Sequence, residues 1–69
     1  MPLSMMDIGP VYRIKALQGN DAVRRHLADL GFVEGTEVQI ISDLAGSLIL
    51  GVRETRVALD RNLARRILV

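Results

Sequence analysis

Proton transfer, metal binding and nucleophilic attack need particular side chains at workable spacing, and this sequence holds few of them. His26 is the only imidazole, and a first-row metal site would need several further ligands converging on it. Alone, it reads as a structural or surface histidine. Glu34 and Glu37 bracket Gly35, where a cation could bind weakly, but solvated turn carboxylates are the commoner outcome. There is no cysteine, which excludes disulfides and thiolate metal sites. None of the 6 glycines falls in a G-x-G-x-x-G or G-x-x-x-x-G-K-[ST] pattern, and each is explained by a turn, a cap or a strand bend. The sequence therefore assigns no catalytic residue, no metal ligand and no cofactor, and points to a domain that works by binding.

Basic residues occur as Arg24-Arg25, Arg53, Arg56, Arg61 and Arg65-Arg66. Small barrels that hold nucleic acid combine such patches with stacking aromatics. Only Tyr12 and Phe32 are aromatic, and the formal net charge is +1, so solvated faces are favoured over a nucleic-acid surface.

A chain of 69 residues buries only about 60% of the surface its unfolded form exposes, which allows a single domain with one modest core. Apolar residues make up 49% of it and are mostly Val, Ile, Leu and Ala, so that core must be aliphatic. Met1 to Pro10 lacks a basic head followed by a long apolar run, and no stretch approaches the ~18 apolar residues of a membrane span. A soluble domain in a reducing, cytosolic setting fits best, without insertion into lipid.

The elements that would position a binding surface follow from periodicity. Pro2, Asp7, Gly9 and Pro10 mark Met1 to Pro10 as a lead-in packing Leu3 and Ile8, with regular structure beginning at Val11. Tyr12, Ile14 and Ala16 alternate with Arg13 and Lys15 as a half-buried strand. Gly19-Asn20-Asp21 breaks it and caps a helix from about Asp21 to Leu30, with Val23, Leu27 and Leu30 on one stripe. Gly31 sits where a left-handed residue ends a helix, and Phe32 follows as its hydrophobic anchor. Val33-Glu34-Gly35-Thr36 turns into a second strand carrying Val38 and Ile40. A third strand, Leu48 to Glu54, pairs with it through Ala45-Gly46-Ser47 as a β-hairpin. Val57 and Leu59 keep strand spacing, Arg61 to Arg65 has room for one helical turn, and Ile67 to Val69 can close as a last strand. About five short strands and one helix predict an all-β-leaning, partly open barrel.

Ile41 and Ile49 are apolar where their same-face neighbours, Glu37, Gln39, Gly51 and Arg53, are not. Either bent strands or the helix bury both, or they form an exposed apolar patch of the kind that marks a binding surface. On the second reading Leu30, Phe32, Ile41 and Ile49 are the candidate partner-binding residues, with Arg24, Arg25 and Arg53 as a charged rim. Open strand edges would also allow copies of the chain to pair.

Two segments carry a family signature. Arg25-His26-Leu27-Ala28-Asp29-Leu30-Gly31-Phe32-Val33-Glu34-Gly35-Thr36-Glu37-Val38 resembles the R-x-L-x-x-L-G-[FL]-x-x-G-x-x-[VI] core of the FeoA family. Arg56-Val57-Ala58-Leu59-Asp60-Arg61-Asn62-Leu63-Ala64-Arg65-Arg66-Ile67-Leu68-Val69 resembles its closing R-[VL]-A-L-x-x-x-[ML]-A-x-x-I-x-V. The structural positions of these motifs are Leu27, Gly31, Gly35, Val38, Leu59, Ala64 and Ile67. The resemblance implies an SH3-like barrel serving as a small cytoplasmic accessory protein of ferrous iron uptake through the FeoB membrane transporter, which has a cytosolic GTPase domain. The alternative is a stand-alone relative of the SH3-like regulatory domain of metal-dependent repressors. No DNA-binding helix pair accompanies it here, so that relative would act only through a partner.

Overall fold

The computed structural model describes residues 1–69. Helix α1 (Asp21–Asp29) begins where Asn20 Oδ1 accepts the Val23 N–H at 2.9 Å, satisfying one of the amides that an α-helix leaves unpaired. Asp21 in the first turn is favourably placed in the helix dipole and pairs with Arg24. At the other end Gly31, at φ +106°, donates its N–H to Ala28 O at 2.9 Å, and Phe32 donates to Leu27 O at 3.0 Å. That pair of bonds is the Schellman arrangement, and Leu27 and Phe32, the residues its longer bond joins, are both fully buried. Leu30 is the C-cap, so the helix stops one residue before the sequence expectation.

The strand expected over Tyr12 to Ala16 is two strands, β1 (Val11–Arg13) and β2 (Ala16–Leu17). Between them the chain changes partner: Ile14 N–H donates to Thr36 O at 2.9 Å, and Lys15 N–H to Leu68 O at 2.7 Å. A strand that switches sheets at a bend forms a corner of the barrel. β3 (Glu37–Leu44), β4 (Ser47–Val52) and β5 (Thr55–Asp60) follow as antiparallel neighbours, then α2 (Arg61–Ala64) and β6 (Ile67–Leu68). Asp60 caps α2, its Oδ1 accepting the Asn62 N–H at 2.7 Å. The sheets run β1-β3-β4-β5 and β2-β6. Six strands thus replace the expected five, and the barrel stays open because β1 and β5, the two ends of the four-stranded sheet, do not pair.

Regular structure starts before Val11, contrary to expectation. A 3-10 turn at Leu3–Met5 drops Leu3 into the core, and Met1 and Val69 exchange backbone bonds of 2.9 and 2.8 Å. Ile8, expected to pack inward, is 56% exposed. Its segment is held by backbone instead, with Gly9 N–H donating to Ile40 O at 3.2 Å beside an Ile8–Ile40 bridge.

The core is wholly apolar. Leu48, Leu50 and Val52 enter it from β4 in strict alternation with Ser47, Ile49 and Gly51. The motif residues Leu27, Val38, Leu59, Ala64 and Ile67 are all among its members, and Gly31 and Gly35 both have positive φ. Each Leu or Val so buried is worth about 1.5–3 kcal/mol relative to exposure.

Candidate interaction surface

The outer face of the four-stranded sheet is built by one irregularity and one glycine. The β3–β4 register shifts between Ile40 and Ser42, leaving Ile41 as the extra residue of a β-bulge. Gly51 on β4 has no side chain to keep Ile41 away, and Ile41 Cδ1 lies 3.1 Å from the point a Cβ there would occupy. Ile49, one pleat further along β4, faces Ser42 on one side and Ala58 on the other. Ile41 and Ile49 are each half-buried, and Ala58 is exposed. They form an apolar strip across the sheet, flanked by the exposed side chains of Val11 and Leu44.

A charged turn closes one end of this strip. Arg53 and Glu54 form the two-residue β4–β5 turn with φ of 50° and 64°, a conformation that normally selects Asn and Gly. Both side chains are exposed and line a shallow depression with Ile41, Gln39, Gly51 and Arg56. A bulge and a strained turn beside one depression are features that fold energy alone does not favour.

The other residues expected to join this patch are elsewhere. Phe32 is 0% exposed, so it is a core anchor and presents no surface to a partner; the Schellman bond that makes it follow Gly31 also turns it inward. Leu30 is partly buried and packs against the core. Arg24 and Arg25 line a separate groove between α1 and β2, with Ala16, Leu17, Ala28 and Val33, and Arg24 is tied to Asp21. Of the expected arginine rim only Arg53 borders Ile41. Glu54, Gly51, Arg56 and Val11 were not singled out as site residues by sequence reasoning. The outward alternation of β4 was the one signal available for Gly51. His26 is exposed on α1, and no three His, Asp or Glu side chains stand close enough to share a metal ion.

A small, strongly bent antiparallel sheet that stays open along one edge, with a short helix packed on it, defines an SH3-like domain. The FeoA domain family model matches residues 1–69, and the chain belongs to the FeoA family. It is similar over 100% of its length to 88% of Stenotrophomonas maltophilia FeoA, solved with zinc, at 35% identity and a TM-score of 0.86. That protein is described as a prokaryotic SH3 domain protein and a suggested activating factor of bacterial ferrous iron transport. An iron uptake regulatory protein, also an FeoA, is 26% identical over 97% of this chain and 91% of that one, with a TM-score of 0.89. A manganese-dependent transcriptional repressor shares the fold at 16% identity, with a TM-score of 0.86 over 97% of this chain and 39% of that one. No curated protein matches the sequence.

The family is one of small SH3-like accessory proteins implicated in ferrous iron transport, not a known family of enzymes. No helix in the structure is long and apolar enough to cross a membrane.

Proposed function

We propose that this chain is a cytoplasmic accessory protein of ferrous iron uptake that acts by binding the cytosolic part of an FeoB-type membrane transporter. The observation that carries the reading is the match to the FeoA domain across residues 1–69, on a fold shared with an FeoA described as a suggested transport activator. The outer face of the sheet supplies a contact of the right chemistry. Ile41, Ile49 and Ala58 are an apolar centre, and Arg53, Glu54 and Arg56 are a polar rim, the arrangement in which buried anchors supply affinity and the rim excludes water. Ferrous iron is the transporter's cargo on this reading, and this chain does not need to hold it.

The alternative, a regulatory module related to the repressor domain, has the shared fold in its favour. The family match over residues 1–69 favours the first reading. Co-purification with a full-length FeoB-type transporter in detergent tests the proposal: retention with the transporter and none with an unrelated membrane protein supports it, and equal loss from both overturns it.

A further inference from the structure

Strand β5 has a neighbour on one side only, and the β4–β5 hairpin decides what it shows to the other. In a two-residue turn with both φ positive, as at Arg53 and Glu54, the flanking residues form a hydrogen-bonded pair. Those residues are Val52 and Thr55, so by alternation Leu50 with Val57 and Leu48 with Leu59 are the other bonded pairs. Arg61 N–H, donating to Gly46 O at 3.1 Å, continues the same alternation past the strand. The N–H and C=O of Arg56 and Ala58, and the N–H of Asp60, therefore point away from β4. No backbone bond outside the helices and ladders involves them.

The charged side chains on this edge have no ion-pair partner, although Asp60 Oδ1 caps α2. Arg56, Ala58 and Asp60 are exposed and share the outer face. Arg56 stands opposite Gly51 and Asp60 opposite Ser47, and neither is in an ion pair. Sheet edges are commonly blunted by charge. Here the two charges have opposite signs and flank Ala58 symmetrically, two residues to either side.

We infer that β5 is a self-pairing edge, to which a second copy of this chain adds antiparallel about a two-fold axis through Ala58. In that register Ala58 faces Ala58 of the second copy and exchanges both backbone bonds with it, while each Arg56 carbonyl accepts from the facing Asp60 N–H. Each Arg56 guanidinium then meets an Asp60 carboxylate across the strands, a favourable cross-strand pair, whereas centring on Arg56 would set two arginines face to face. The arrangement is isologous, so it closes at a dimer. Ile49 lies beside Ala58 in the ladder, so pairing joins the apolar strips of both copies into one. A single strand pair buries little area, and the association is correspondingly weak and concentration-dependent.

Sedimentation equilibrium tests this. The average mass of the wild type rises from monomer toward dimer between micromolar and millimolar concentration. Arg56→Asp and Asp60→Arg each stay monomeric alone, because like charges then face each other, and an equimolar mixture of the two recovers the dimer. Ala58→Pro removes the central donor without touching a bond to β4 and is also monomeric. Asp60 caps α2, so melts accompany each variant; if Asp60→Arg does not fold, Arg56→Asp and Ala58→Pro carry the test. In this cysteine-free chain, Ala58→Cys forms a disulfide-linked dimer under mild oxidation faster than Ala45→Cys. A wild type that remains monomeric at millimolar concentration overturns the inference and leaves the edge to a strand of another protein. Association that survives Ala58→Pro overturns it equally.

Discussion

Ile41 lies across Gly51, its Cδ1 3.1 Å from where a Cβ at position 51 would stand. The bulge frees Ile41 from the ladder, and the glycine gives it a place to lie. Gly51 has an ordinary strand backbone without positive φ, so Gly51→Ala displaces only the far end of a flexible side chain. Stability changes by less than about 1 kcal/mol, since strand propensity gained offsets packing lost. On the proposed contact, binding to the transporter weakens several-fold because Ile41 is lifted off the sheet. A melt and a binding titration on the same variant check this, and a large fall in the melt with unchanged affinity would contradict it.

Gly31→Val strains the helix stop. A β-branched residue at φ +106° is a backbone outlier. The cost is about 1–3 kcal/mol, and in a domain of this size each 1 kcal/mol lowers Tm by roughly 4–8 °C. Thermal unfolding followed by circular dichroism measures it, and an unchanged midpoint would contradict the cap.

Arg53 and Glu54 hold positive φ without the residues that adopt it cheaply. Replacing them together, Arg53→Asn with Glu54→Gly, stabilises the hairpin by about 1–2 kcal/mol. Urea unfolding should show a higher midpoint with the slope unchanged. If the charged turn serves as the rim of the contact, the same double variant binds the transporter less well, so stability and affinity move in opposite directions.

The isolated chain should show no stoichiometric submicromolar site for ferrous iron or zinc, because no three His, Asp or Glu side chains cluster in it. Calorimetry checks this directly. A tight site abolished by His26→Ala would move the protein from accessory binder to metal sensor.

Much of the fold was legible because its signals are local. The Asn20 cap, the Gly31 stop, the turn at Gly35 and the alternation of β4 each depend on neighbouring residues, and they lie where the pattern put them. The break at Ile14 and Lys15 was not legible, since alternation continues smoothly while the backbone changes partners between Thr36 and Leu68. The Arg53-Glu54 turn carries no Asn or Gly to announce it, so strand spacing runs on to Glu54 in the sequence while β4 ends at Val52. The surface was legible in part. Strand alternation put Ile41 and Ile49 on the outer face, but adjacency to Gly31 says nothing about which way Phe32 points, and a helical stripe does not tell which groove Arg24 and Arg25 border.

If the outer face of the sheet meets the transporter as proposed, Ile41 and Ile49 lie at the centre of the contact. The most direct measurement is the affinity of Ile41→Asp and Ile49→Asp for the purified transporter, alongside their melts. Both variants should fold, since each side chain is only half-buried on the outside of the sheet, and both should lose binding by tenfold or more, with only mild salt dependence for the wild type. Variants that fold and bind like the wild type would contradict the proposed contact and direct attention to the Arg24 and Arg25 groove.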